Sequence, residues 1–191
     1  TKMRKLASLS DKHAMRYAIQ PIGSETAKAN DLKTLSIPVS IEREIAPFVT
    51  QAALESLQRY FPRGSAHVWG VKAEHAFSCF SMRAQDTTVL FYKNGWIVKR
   101  GLVVEKILSP ELAEHLWGPD EEGETWMCVY FLASLVGIRI PYRKVAEQMG
   151  TTKEYCQRFT YLDEEKSARV DAELGGLIRD RLESSIFLSQ G

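Results

Sequence analysis

Thr87 to Leu132, TTVLFYKNGWIVKRGLVVEKILSPELAEHLWGPDEEGETWMCVYFL, holds two strands, a short helix and a third strand, and Trp96, Trp117 and Trp126 lie among them. Val89 to Lys93 and Trp96 to Glu105 are rich in β-branched and aromatic residues. The pair between them, Asn94-Gly95, suits a type I′ turn because both central positions of that turn need positive φ, so a hairpin is expected. Ser109 can then cap a helix opened by Pro110, whose ring already holds a helical φ, with Glu111 in the positive first turn and Gly118-Pro119 as the stop. Trp117 falls at that helix end, beside the loop Asp120 to Glu124 and ahead of an apolar strand from Trp126 to Leu132. Upstream, Ala66 to Lys72 (AHVWGVK) reads as another short strand. Aromatic residues gathered on a small sheet suit a pocket for something flat.

The flanks read as helix. Ile41, Ile45, Phe48, Ala52 and Leu57 recur at helical spacing up to Phe61-Pro62-Arg63-Gly64, with Pro47 suited to a start or a kink. The first forty residues are polar and weakly patterned, with one short helix expected near Lys12 to Ile19. At the other end Val170, Leu174, Leu177, Ile178 and Leu182 form an apolar helical face that Gly175 and Gly176 weaken by about 1 kcal/mol each relative to alanine.

This order of a strand ending in lysine, an LFY strand, a hairpin returning with a glycine, an ELAEHLWG helix and a W-x-x-x-Y-F-L strand resembles the EVE and YTH domains of the PUA superfamily, over Ala66 to Asp163. The resemblance implies an α+β fold, a small partly open β-barrel with flanking N- and C-terminal helices. It divides the chain into a helical N-terminal extension over residues 1–64, a barrel core over 65–163, and a C-terminal helix and tail over 164–191. Similar domains form the DNA-reading N-terminal part of McrB-type subunits of modification-dependent restriction systems. The implied function is therefore a reader of methylated double-stranded DNA, of N6-methyladenine first, with no catalysis of its own. The ending SIFLSQG is then expected to lead toward a motor domain through which the full-length protein would be oligomeric. Two alternatives stand beside it: a reader of modified RNA, which would accept single strands and use 2′-hydroxyls, and a protein-protein interaction module whose aromatics are only core.

A YTH-like cage places Trp117 at its second position. The stretch Glu74 to Gln85, where that family carries another cage tryptophan, offers only Phe77 and Phe80, so Trp96 or Trp69 is expected to supply the remaining wall. Lys72, Glu74, His75 and, more remotely, Asp163 are the polar groups placed to read a base edge, whereas Trp126 alternates with Cys128 and Tyr130 and is assigned to the core. A base reaches such a cage only after rotating out of the duplex, at a few kcal/mol, against which aromatic stacking returns ~1–3 kcal/mol per base and burial of one methyl ~0.8 kcal/mol.

At 191 residues and 45% apolar content the chain can bury a good core. It lacks a secretory leader pattern and a long apolar run, so a cytoplasmic location without a membrane partner is expected. Cys79, Cys128 and Cys156 are odd in number and widely spaced, which argues for thiols over a disulfide framework. The net charge of +1 hides an uneven spread: Glu111 to Trp126 carries acids and no Lys or Arg, and basic residues flank it on both sides. Lys93, Lys99, Arg100, Arg139, Arg143 and Lys144 are the expected phosphate contacts. No zinc-site spacing, phosphate loop or nucleophile elbow is present, so no metal or cofactor is expected. Glu164-Glu165-Lys166 sits at a helix start, where capping is its simpler role.

Overall fold

The structure is a computed structural model that describes residues 14–179. Its frame is the expected hairpin. β4 (Thr87–Lys93) and β5 (Trp96–Leu108) pair antiparallel through a turn in which Asn94 and Gly95 take φ of 49° and 82°. Ser109 accepts the Leu112 N–H at 3.1 Å and starts α4 (Pro110–Trp117), which stops at Gly118 with φ 72°. β6 runs from Trp126 to Pro141, well past the expected Leu132. Register shifts between β5 and β6 at Ile97/Lys99, Arg100/Leu102 and Val103/Glu105 add local twist and bend, so these long strands curl instead of lying flat. β3 (Ser65–Lys72) pairs antiparallel with β6 and passes directly into α3 (Ala73–Phe80), a helix in a stretch to which the sequence reading gave no element.

The N-terminal segment departs most from expectation. Residues Arg16–Pro21 form a strand, β1, parallel to β4 in the register Ala18↔Val89 and Gln20↔Phe91, where the sequence was read as a short helix; the first part of that expected helix lies outside the described residues. Both faces of this strand are covered, so Tyr17, Ala18 and Ile19 are all buried and leave no alternation to read. After α1 (Glu25–Asn30) and a π-helical turn, Asp31–Leu35, the chain adds a short strand β2 (Val39–Ser40) on β3. The expected helix over 41–57 is interrupted. Ile41–Ile45 is a π-helical turn, Ala46–Phe48, which holds Pro47, is a 3-10 turn, Val49 is extended, and Thr50 caps a separate helix α2 (Gln51–Tyr60).

α5 (Tyr142–Met149), β7 (Thr160–Tyr161) and α6 (Glu164–Arg179) complete the described chain. The sheet is open, in the order β2-β3-β6-β5-β4-β1-β7, so the segment expected as a helical extension supplies two of its strands. One face carries an inner core of Ala18, Trp69, Val89, Phe91, Val103 and Tyr130. The other is covered in two halves. α5 and α6 pack over Tyr17, Ile19, Leu90 and Ile97, and α2 and α4 pack over Val68, Val104, Val129 and Phe131. In α6, Val170, Leu174 and Ile178 are buried and Leu177 is exposed, while Leu182 lies outside the described residues.

Gly70 is where α4 meets the sheet. A Cβ there would sit 2.8 Å from the Trp117 ring and 3.1 Å from the Cys128 carbonyl oxygen, so glycine is what lets the indole lie against the strand. Gly70→Ala is expected to cost about 1–3 kcal/mol by overpacking. Urea denaturation followed by circular dichroism checks this, and an unchanged midpoint would mean that Trp117 is free to move aside.

Candidate functional site

At one end of the inner core the chain leaves an open cleft of about 640 Å³, inside the ~300–1,000 Å³ range of small-ligand sites. Its walls come from distant parts of the sequence: the end of β1, the start of α1, the end of β3 with the start of α3, the loop after α4, the head of β6, and the segment before β7. Trp69, Trp126, Tyr92 and Phe159 are its aromatic lining. Gln20 contributes a buried amide at 8% exposure. The indole N–H of Trp69 is buried and has no acceptor among the described residues.

Three indoles stand in a row behind this lining. Trp117 lies between Trp69 and Trp126, with ring centroids at 6.3 Å and 5.6 Å, both tilted. It is 7% exposed, and its N–H donates to the Thr34 hydroxyl at 3.0 Å, which in turn donates to the Val68 carbonyl at 2.9 Å. Trp117 was expected as a cleft wall and is instead the buried support of two walls. Trp126, expected in the core, is there, packed with Trp117, Val129 and Phe131, and at 9% exposure it lines the cleft as well. The register shift at Val71/Lys72 pairs Lys72 with Trp126 and turns that indole away from Cys128 and Tyr130, onto the core under α4 beside Trp117.

The other expected pocket residues divide. Trp69, Lys72, Glu74 and His75 line the cleft. Phe77 and Phe80 do not, because α3 turns them outward to 87% and 48% exposure, with Lys106 over the Phe80 ring at 5.0 Å. Trp96 lies outside the cleft as well, on the hairpin beneath the Arg139 guanidinium at 4.3 Å. Asp163 caps α6 through the Lys166 N–H at 2.8 Å, which lowers its pKa, and it borders a second cleft beyond the segment 156–158. Gln20 escaped the sequence reading because its strand did, and a buried amide within an apolar strand was the signal available there.

Lys72 is not a free cation. Its ammonium pairs with Asp120 and lies 6.0 Å from the centre of the Trp126 ring. Asp120 also accepts the backbone N–H groups of Glu122 and Glu124 at 2.9 Å and 2.8 Å, so one carboxylate folds the acidic loop and ties it to the end of β3. The hydrogen bond to Lys72 holds the Asp120 carboxyl below the usual carboxylate range and raises the lysine. The rim therefore carries Glu74, Glu121 and Glu122, a poor seat for a phosphate and a good set of acceptors for amino groups.

Of the expected phosphate contacts, Arg100 is buried at 4% exposure and Lys99 is engaged by Asp31 at 2.5 Å and Ser36 at 2.7 Å, so neither presents a free cation. Lys93, Arg139, Arg143 and Lys144 gather at the hairpin tip, which the Tyr142 N–H ties to the Gly95 carbonyl at 2.9 Å. Asn94 of that tip lines the cleft, so a basic edge runs up to it. Cys79 and Cys128 are buried thiols 2.7 Å apart, and Cys156 borders both clefts.

No protein-family model and no curated protein matches the chain. Among solved structures, the N-terminal domain of Thermococcus gammatolerans McrB bound to m5C DNA superposes with a TM-score of 0.64 at 15% identity, covering 86% of this chain and 99% of that one. ASCH from Zymomonas mobilis superposes with a TM-score of 0.44 at 8% identity, covering 82% of this chain and 94% of that one. The McrB likeness shows the fold: the α+β architecture that the resemblance to EVE and YTH domains implied as a small partly open β-barrel, here with a seven-stranded sheet that stays open.

Proposed function

We propose that this chain reads a methylated base in DNA, receiving the base, rotated out of the duplex, in the cleft that Trp69, Tyr92, Trp126 and Phe159 line. The observation that carries the reading is the cleft itself: aromatic side chains from four separate elements converge on a space of about 640 Å³ with a buried amide inside and carboxylates at the rim. Aromatic faces suit a flat ring, and carboxylates accept from an exocyclic amine, so the ligand chemistry is an amine-bearing base, adenine or cytosine. The fold is shared with a domain solved on DNA carrying m5C, which supports DNA as the partner. N6-methyladenine is the mark expected from the sequence, and 5-methylcytosine is the one carried by that DNA.

In this reading the basic edge of Lys93, Arg139, Arg143 and Lys144 follows the phosphates, while the acidic rim keeps them out of the cleft and admits the base. The domain binds and performs no chemistry. Extrusion costs a few kcal/mol, which stacking at ~1–3 kcal/mol per base offsets. The methyl adds ~0.8 kcal/mol, roughly a fourfold preference over the unmodified base, before any gain from easier extrusion.

Fluorescence anisotropy tests this with matched duplexes carrying N6-methyladenine, 5-methylcytosine or no modification, at two salt concentrations, with a methylated RNA strand alongside. The expected result is preference for one methylated duplex and weaker binding at higher salt. Equal affinity for all duplexes, or none, would sink the proposal. Tighter binding of the RNA strand would move the function to RNA.

A further inference from the structure

Gln20 sits at the inner end of β1, in line with Ala18 on the face that carries the inner core, and its side chain reaches the cleft. A glutamine amide offers two N–H donors and two acceptor lone pairs. Here one donor is used by the Pro21 carbonyl at 3.1 Å and one lone pair by the Tyr130 hydroxyl at 3.3 Å. These partners fix which end is nitrogen, because the Pro21 carbonyl can only accept. Tyr130 is fully buried, and burial holds its phenol protonated as a donor toward the amide oxygen. One N–H and one lone pair remain without a partner among the described residues, on a group that is only 8% exposed. A buried amide left half satisfied is costly unless something completes it.

We infer that Gln20 is the residue that reads the hydrogen-bonding edge of the base, its free N–H meeting the ring nitrogen and its oxygen meeting the neighbouring exocyclic amine, with Tyr130 as the positioning residue. The inference rests on the cleft being the base site. The edge so described belongs to adenine and cytosine. In hypoxanthine and thymine the same two positions carry a ring N–H and a carbonyl, so donor and acceptor are exchanged. An amide free to rotate would serve both edges, whereas an amide pinned at both ends serves one. N6-methylation leaves one amine hydrogen and 5-methylation leaves both, so either mark keeps the contact, and specificity for the methyl falls to the aromatic walls.

The test uses duplexes with N6-methyladenine, hypoxanthine, 5-methylcytosine or thymine, each opposite an abasic site so that breaking a base pair does not enter. The wild-type chain is expected to favour an amine-bearing base over its lactam counterpart by about 10- to 100-fold, the range for a buried polar group left unpaired. In Gln20→Ala that ratio is expected to fall toward one while weak stacking-driven binding remains. Gln20→Glu keeps the shape and the acceptor but loses the donor, and should lose the ratio too; Tyr130→Phe should reduce it in part. Circular dichroism melts establish that each variant is folded. A ratio unchanged in folded Gln20→Ala or Gln20→Glu overturns the role of Gln20. No preference for methylated DNA by the wild-type chain in the duplex assay above overturns the base-reading function instead, so the two failures are separable.

Discussion

Replacing Trp117 by alanine is expected to cost the fold about 3–5 kcal/mol, the usual range for emptying a buried aromatic site. A domain of this kind is stable by only ~5–15 kcal/mol, so the loss would be a large share of the whole. The indole touches Trp69 and Trp126, lies on Gly70, and spends its N–H on Thr34, which is itself tied to the Val68 carbonyl. Its removal takes the support from two cleft walls and loosens the π-helical turn Asp31–Leu35 from β3. Urea denaturation followed by circular dichroism should show a much lower midpoint, with DNA binding lost in proportion to unfolding. Parent-like stability combined with selective loss of binding would return Trp117 to the position of a cage wall.

Much of the fold was legible because its signals are local. Asn94-Gly95 encodes its own turn and so pairs β4 with β5, Ser109-Pro110 and Gly118 punctuate α4, and β3 and β6 show their own runs of valines and aromatics although they pair across some sixty residues. β1 was not legible, since its partner β4 lies some seventy residues on, the pairing is parallel, and the segment is buried on both faces. The break before Thr50 was hidden for the opposite reason: Ile41, Ile45, Phe48, Ala52 and Leu57 keep helical spacing although a π-helical turn, a 3-10 turn and the extended Val49 precede the helix that holds the last two. In the site, the burial of Trp117 and the turned face of Trp126 follow from two features that no pattern in the chain announces. Gly70 opens space for the helix-end indole, and a bulge turns over the first residue of β6. Lys72, Glu74, His75 and Trp69 were legible as a group because they follow one another along a strand and the helix it enters. Gln20 was not, since it reaches the same cleft from the missed strand.

If the cleft takes a base, Trp126→Ala should weaken binding of the preferred methylated duplex by ~1–3 kcal/mol, roughly 5- to 150-fold, through loss of stacking. Trp126 is the better test of stacking than Trp69. It stands at the head of its strand at 9% exposure, while Trp69 lies in mid-strand at 3% against Phe91 and Trp117; because Trp126 also packs on Trp117, a circular dichroism melt first establishes that the variant is folded. The salt dependence separates stacking from charge. Its slope counts phosphates neutralised, and Trp126 neutralises none, so affinity should fall while the slope stays the same. Preference for the methylated over the unmodified duplex should shrink as well, since the methyl gains only what a closely packed wall gives it. Phe77→Ala supplies the control, because that ring is 87% exposed outside the cleft and should change neither quantity. If Trp126→Ala instead lowered methylated and unmodified binding equally and flattened the slope, the indole would be shaping the basic edge, and the base would have to enter elsewhere.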